Sequence, residues 1–158
     1  MTVKTKTQKQ ANISHLEQQS LDQSLVQSVL TRESIKTANF TIEELEFCDK
    51  VPDALLDNAK ALLESLQALR EHVRLPIRII PGGGFRSEAT NAKVGGAKAS
   101  KHMLCQASDI RINGLSPHEI ASTIEQLIDA GKMKQGGLGI YSNFVHYDVR
   151  GDKARWNG

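Results

Sequence analysis

Several features that define large classes of protein are scarce or missing in this 158-residue sequence. Its two cysteines are too few for a disulfide scaffold or for a metal site built from thiolates. No apolar run approaches the roughly 18 residues of a membrane span, so we expect no such span. The 20 basic and 18 acidic residues nearly cancel, so we expect no nucleic-acid partner. The remaining composition, 39% hydrophobic and 24% charged, is typical of a globular domain.

Residues 1–36 differ in composition from the rest of the chain. They contain six glutamines and no glycine, proline or aromatic residue. A weak helical stripe is formed by Ile13, Leu16, Leu21, Leu25 and Val29. We interpret this region as a polar tail or amphipathic helix, with a docking helix for a partner as the alternative, and residues 37–158 as the folded domain. No apolar segment follows the first lysines, so we expect no secretory signal and synthesis in the cytoplasm.

The order of predicted elements favours one fold class. Leucines at helical spacing predict a long helix, a Ser-Pro-x-Glu start predicts a second one, and short apolar runs between turn residues predict strands. The helices are expected at 53–73 and 116–130, and the strands at 75–80, 107–112, 137–141 and 144–150. The last two strands read as a hairpin. We therefore predict an α+β fold with a small, mostly antiparallel sheet and flanking helices.

Two histidines and two aspartates stand out as candidates for chemistry. His102 precedes a predicted strand that carries Asp109, and His146 lies in a later strand two residues before Asp148. Because alternate strand residues share a face, His146 and Asp148 are expected to line one cleft. Two imidazoles and one carboxylate suit a catalytic zinc, with the fourth position left for water. The spacing alone is not specific for a metal site.

A set of short motifs occurs in one order along residues 40–156. They are Gly84-Phe85-Arg86-Ser87, Ser100-x-His102, Ala107-x-Asp109, Gly137-x-Gly139 and Phe144-Val145-His146-Tyr147-Asp148. Together they resemble the zinc D-Ala-D-Ala carboxypeptidase family, which includes cell-wall carboxypeptidases, phage endolysins and D,D-dipeptidases. The resemblance implies a hedgehog-like zinc peptidase fold and a Zn²⁺ cofactor.

The resemblance also implies roles for individual residues. The zinc ligands would be His102, Asp109 and His146. Arg86 would bind the reacting carbonyl or a substrate carboxylate, as a fixed guanidinium can. Its alternative role is a surface ion pair. Ser100 would contact the substrate or orient the ligand loop, or else only satisfy backbone groups in a turn.

The sequence departs from the family pattern at two positions. Cys105 stands where the family usually has glycine, so a positive φ there would strain it. The thiol is expected to be a small buried side chain, with a soft zinc ligand as the alternative. Asn143 stands where several relatives have an acidic general base. We therefore expect Asp148 to be the base, with a role in holding a ligand imidazole in its metal-binding tautomer as the alternative.

These observations predict zinc-dependent hydrolysis of a peptide bond in peptidoglycan stem peptides. The enzyme would be a D-Ala-D-Ala carboxypeptidase or an endolysin-type endopeptidase. The resemblance and the expected lack of a secretory signal suggest a phage or prophage protein, released to the wall by a holin. We expect a monomer. The alternative is a non-catalytic cell-wall-binding or virion structural module on the same fold, which Asn143 and Cys105 would favour.

Overall fold

A five-stranded β-sheet organises residues 30–158, the part of the chain that the computed structural model describes. The strands are β1 (Ile77–Ile79), β2 (Ala107–Ile112), β3 (Gly137–Ile140), β4 (Val145–Asp148) and β5 (Ala154–Asn157). Their order across the sheet is β1-β2-β4-β3-β5, and all neighbours are antiparallel except β3 and β5. The predicted small, mostly antiparallel sheet is confirmed.

Within residues 30–158, three α-helices accompany the sheet: α1 (Leu56–Val73), α2 (Glu88–Lys93) and α3 (Pro117–Asp129). The same part of the chain has four short 3-10 helices, at Arg32–Ser34, Ile42–Leu45, Asp53–Leu55 and Lys101–Leu104. The two long helices confirm the predicted α+β class. None of the helices over residues 30–158 combines the length and hydropathy that crossing a membrane requires.

Each long helix forms for a reason that can be read from its sequence. One stripe of α1 is fully or almost fully buried, namely Leu56, Ala59, Leu62, Leu63, Leu66 and Leu69. Burying one leucine contributes about 1.5–3 kcal/mol relative to leaving it exposed. Helix α3 begins with a reciprocal cap, in which the Glu119 backbone amide donates to the Ser116 hydroxyl and the Ser116 amide donates to the Glu119 carboxylate at 2.7 Å.

Helix α3 lies on one face of the sheet, and the site lies on the other. Helices α1 and α3 contact each other, and α3 contacts β3 and β4. In β4, Val145 and Tyr147 are fully buried, and the Tyr147 hydroxyl donates to the Lys134 carbonyl at 2.7 Å. Because strand residues alternate, His146 and Asp148 point to the opposite face.

One strand and one α-helix of the described residues were not predicted from the sequence. Strand β5 pairs in parallel with β3, which places Trp156 opposite Gly139. Its sequence, Ala-Arg-Trp-Asn, alternates apolar and polar side chains over only four residues, the shortest run that can indicate a strand. Helix α2 has only six residues and is capped by the Ser87 hydroxyl, which accepts from the Thr90 amide at 3.2 Å. Short elements of this kind depend on tertiary contacts for their stability.

Residues just before the predicted domain start contact the folded part. Ile35 is 1% exposed, and the Arg32 guanidinium donates to the Val51 carbonyl at 2.7 Å. The compact unit that contains the sheet spans residues 31–158. The boundary at residue 36 stays a prediction. The helical stripe expected between Ile13 and Val29 lies outside the described residues.

Candidate metal centre

Three buried side chains from separate segments converge beside the sheet. The Asp109 Oδ1 atom lies 3.3 Å from His102 Nε2 and 3.0 Å from His146 Nδ1. The three candidate ligand atoms all lie within 4.8 Å of one another. Two imidazole nitrogens and one carboxylate oxygen at this spacing can hold a single metal ion, and this ligand set is typical of catalytic zinc.

Backbone geometry presents His102 to the centre. His102 lies in the 3-10 helix Lys101–Leu104, and its Nδ1 lies 2.8 Å from the Gly84 carbonyl oxygen. A carbonyl only accepts, so Nδ1 carries the hydrogen and Nε2 keeps its lone pair toward Asp109. Only glycine fits at position 84, because a Cβ there would overlap the Leu45 backbone.

Asp109 is aligned by the sheet and by an arginine. In the register of β2 and β4 it lies directly opposite His146. Arg86 donates to Asp109 Oδ2 at 3.1 Å and to the Gly82 carbonyl at 2.7 Å. This contact occupies Oδ2 and leaves Oδ1 toward the two imidazoles. Burial by itself raises the pKa of the Asp109 carboxyl, but in the absence of a metal its interactions with His102 and His146 in their protonated forms outweigh burial and hold that pKa well below its usual range.

The second imidazole is held by a carboxylate instead of a carbonyl. His146 Nε2 lies 3.0 Å from Asp148 Oδ2. Asp148 also accepts from the Gly137 amide at 2.9 Å and from Arg150 Nε and Nη2 at 2.8 and 2.6 Å. Because the carboxylate accepts the Nε2 hydrogen, the lone pair of His146 faces Asp109 through Nδ1.

The structure differs from the expectation that Asp148 lines the cleft. Strand alternation places Asp148 on the same face as His146, yet its side chain is fully buried beneath Arg150. Its carboxylate lies at the edge of the imidazole remote from Asp109. Burial alone would raise the pKa of Asp148, but hydrogen bonds from His146 and Arg150 hold it well below its usual range. Burial alone would lower the pKa of His146. The protonated ring, however, donates from both nitrogens, to Asp109 and to Asp148, and these hydrogen bonds raise the pKa instead.

A cleft of about 580 Å³ opens over the three candidate ligands. Three cationic side chains line it: Arg86, Lys101 and Arg150. Among the described residues, Asp109 is the only carboxylate in its lining. Asn143 is exposed at the hairpin turn, where its carbonyl accepts from Arg111, and it is not part of the lining. The cleft is therefore suited to a ligand that carries negative charge.

The surroundings of Ser100 agree with both of the roles considered for it, a contact with the substrate or ligand loop and a turn residue that satisfies backbone groups. It lines the cleft immediately before the helix that carries His102. Its backbone amide also donates to the Ala97 carbonyl at 3.0 Å, and its carbonyl accepts from the Met103 amide at 3.2 Å. A substrate contact for its hydroxyl stays a prediction.

Cys105 adopts the left-handed conformation that its glycine-like position suggested, with a φ of 51°. Its side chain is fully buried, and burial raises the pKa of the thiol to about 12. Within residues 30–158, the group that can hold a metal ion consists of His102, Asp109 and His146 without this cysteine. The structure thus favours a small buried side chain for Cys105 over a soft zinc ligand.

Two aromatic side chains beside the ligands were missed from the sequence. Trp156 packs against His146 with 5.1 Å between ring centroids, and its Nε1 donates to the Tyr141 hydroxyl at 3.0 Å. Tyr141 stacks on Phe144 at 4.4 Å. All three line the cleft. The local signal for Trp156 is a four-residue alternation of apolar and polar side chains, too short to be specific, and its place beside His146 depends on the pairing of β5 with β3.

Comparison with known proteins agrees with this geometry. A family model described as Peptidase M15 matches residues 38–148. The zinc D-Ala-D-Ala carboxypeptidase of Streptomyces albus G is 40% identical over 79 residues, which cover 46% of this chain and 31% of that protein. The aligned region thus spans about a third of the length of that relative. These matches support the predicted zinc metallopeptidase class and its Zn²⁺ cofactor. The chain belongs to the Peptidase M15 family.

Proposed function

We propose that this protein hydrolyses a peptide bond in the stem peptides of peptidoglycan in a zinc-dependent reaction. The observation that carries the proposal is the convergence of His102 Nε2, Asp109 Oδ1 and His146 Nδ1 at the floor of an open cleft. These atoms would hold the ion. When bound, zinc activates water as a nucleophile and polarises a carbonyl. Three protein ligands leave a further position open for this chemistry.

The charge of the cleft supports a substrate with a free carboxylate. Arg86, Lys101 and Arg150 contribute three positive charges to the lining. Asp109 pairs with Arg86 and Asp148 pairs with Arg150, so the charge of Lys101 and that of a bound zinc ion would stay unbalanced. A peptide that ends in a carboxylate would gain from this field. We therefore favour a carboxypeptidase that acts at the end of the stem peptide. The alternative activity is that of an endolysin-type endopeptidase. In both cases the enzyme would act on the cell wall.

Arg86 is proposed to bind the substrate. Its Nε donates to the Gly82 carbonyl and its Nη2 donates to Asp109, and these two bonds fix the plane of the guanidinium. The N–H groups of Nη1 are left to donate to a substrate. A fixed guanidinium in the cleft can pair with a carboxylate or with the oxygen that gains charge during attack. The contact with Asp109 would hold both the ligand and the substrate-binding group in one arrangement.

Asp148 is proposed to position His146 instead of acting as the general base. Its bond to Nε2, its complete burial and its double contact with Arg150 all support this second of the two roles. A general base must reach the proton that it removes. A carboxylate behind the imidazole is instead suited to orient the ring and raise its basicity as a ligand.

A second candidate function is a non-catalytic module that binds the cell wall. The lack of any carboxylate besides Asp109 in the lining of the described cleft favours it, because acid–base catalysis commonly uses such a group. Asn143 has no acidic form and lies outside the lining. Such a module would bind stem peptides through the metal and the cationic side chains without turnover.

One experiment separates the two functions. Purified peptidoglycan is incubated with zinc-loaded protein, with chelated protein and with zinc-treated His102→Ala, and new termini are identified by mass spectrometry. A peptidase produces new termini only with the zinc-loaded protein. Released D-alanine indicates a carboxypeptidase, and larger fragments indicate an endopeptidase. Zinc-dependent retention on the wall without new termini would instead support the binding module.

A further inference from the structure

Tyr141 and Trp156 form an aromatic wall at the cleft beside the candidate ligands. Tyr141 directly follows β3, and Trp156 lies in β5 opposite Gly139. Gly139 is in turn paired with His146 in β4. Trp156 therefore reaches His146 across Gly139, with 5.1 Å between the ring centroids, and both aromatic side chains line the cleft.

The hydrogen bond between the two side chains has a defined direction. An indole N–H can only donate, so the Tyr141 oxygen accepts from Trp156 Nε1 at 3.0 Å. The hydroxyl hydrogen of Tyr141 must then point away from the indole. Among the described residues no acceptor takes this hydrogen. Because Tyr141 borders the cleft, its hydrogen is available to a molecule that enters there.

The donor is held in place before any ligand arrives. The Tyr141 ring stacks on Phe144 with an interplanar angle of 8°. The indole lies against the bare backbone of Gly139, where a Cβ would overlap its ring, and the Arg150 guanidinium lies 5.7 Å from the indole centroid. A polar group fixed in this way needs no reorganisation during a reaction, which is the condition for electrostatic stabilisation of developing charge.

We propose that the Tyr141 hydroxyl donates a hydrogen bond to the carbonyl oxygen of the scissile peptide bond, and that Trp156 is the positioning residue that aims it. The proposal rests on the peptidase function proposed above. The proton stays on Tyr141, and the hydrogen bond strengthens as the carbonyl oxygen gains negative charge. Arg86 and Tyr141, which both line the cleft, would then both contact the substrate.

The test compares two tyrosine variants in zinc-loaded protein. Tyr141→Phe keeps the stacked ring and removes only the donor. It should lower kcat by about 10²–10³ with KM changed no more than a few-fold, the usual cost of losing one such donor. Tyr147→Phe is the matched control, since the other tyrosine of the chain donates to Lys134 within the core. It should leave kcat unchanged even if it lowers the melting temperature.

A binding measurement gives a readout independent of turnover. A phosphinate dipeptide, whose charged oxygens imitate the attacked carbonyl, is titrated calorimetrically into zinc-loaded protein. Tyr141→Phe should weaken this binding by about 10–100-fold, the value of a hydrogen bond to a charged group. Trp156→Phe should weaken it less, and should have no further effect in the Tyr141→Phe background.

The outcomes distinguish this proposal from the proposed function. Unchanged kcat and unchanged phosphinate affinity in Tyr141→Phe would overturn the role of Tyr141. A raised KM at constant kcat would also overturn it, because the contact would then not strengthen during the reaction. Failure of the wild type to bind the phosphinate counts against it as well. If the wild type binds the phosphinate through Tyr141 but cleaves no wall peptide, the hydroxyl contact stands and the peptidase function fails.

Discussion

The two histidines proposed as zinc ligands reach the same centre from regions of different construction. His102 lies in a short 3-10 helix between loops and is held by the backbone carbonyl of Gly84. His146 lies in a strand paired on both sides and is held by the buried carboxylate of Asp148. A carbonyl dipole fixes only the tautomer of the ring, whereas a carboxylate also adds a full negative charge. The orientation of the His102 ring therefore depends on the path of the main chain, whereas the orientation of the His146 ring depends on a side chain that a mutation can replace.

The largest effect should come from removing either histidine. His102→Ala and His146→Ala should each weaken zinc binding by more than about 100-fold, because even loss of a supporting group costs up to that amount. Zinc content after dialysis, measured by atomic absorption, checks this. His72→Ala, at the exposed end of α1, is the control and should retain one zinc per chain. Retention of full zinc content by both ligand variants would refute the site.

A smaller loss is expected when only the carboxylate behind His146 is neutralised. Asp148→Asn should weaken zinc binding by about 10–100-fold and leave metal-saturated turnover within a few-fold. Competition with a zinc-binding dye and steady-state kinetics measure the two quantities. Asp152→Asn, an exposed neighbour, should change neither. If Asp148→Asn instead keeps its zinc and loses about 10²–10⁴ in turnover, Asp148 is the general base.

Metal removal should affect the two regions unequally. Without zinc, backbone amides of residues 100–105 should exchange with deuterium about 10-fold faster or more, since that segment is held by few regular hydrogen bonds. Amides of β4 should change little, because β2 and β3 pair with it on both sides. Hydrogen exchange followed by mass spectrometry, with and without chelator, measures this. If amide exchange accelerates equally in residues 100–105 and in β4, the two segments do not differ in local stability.

The smallest effect is expected at Cys105, close behind His102. Cys105→Gly relieves a left-handed conformation that costs a residue with a side chain about 1–2 kcal/mol, but it also empties a buried position and loosens the unfolded chain. The opposing effects should leave the free energy of unfolding within about 1 kcal/mol of wild type. Zinc affinity should not change. Urea unfolding and dye competition test both statements, and loss of zinc would identify the thiol as a ligand.

Much of the fold follows from local patterns in the sequence. The capping box at Ser116 and the leucine stripe of α1 predict the two long helices, because these signals act within a few residues of each other. Local patterns also predict the strand at 107–112 and the hairpin that contains His146. Helix α2 and β5 were missed, since α2 is too short to show a period and β5 forms only by pairing with β3.

The sequence by itself determined which residue types form the candidate centre, since the motifs around His102, Asp109 and His146 carry the family resemblance. The tertiary structure alone decided which atoms of those residues face one another, through the register that pairs Asp109 with His146. It also decided that Asp148 lies buried behind His146, a candidate ligand. Strand alternation specifies only a face, whereas the cover provided by Arg150 and the approach of Trp156 arise from strand pairing and packing.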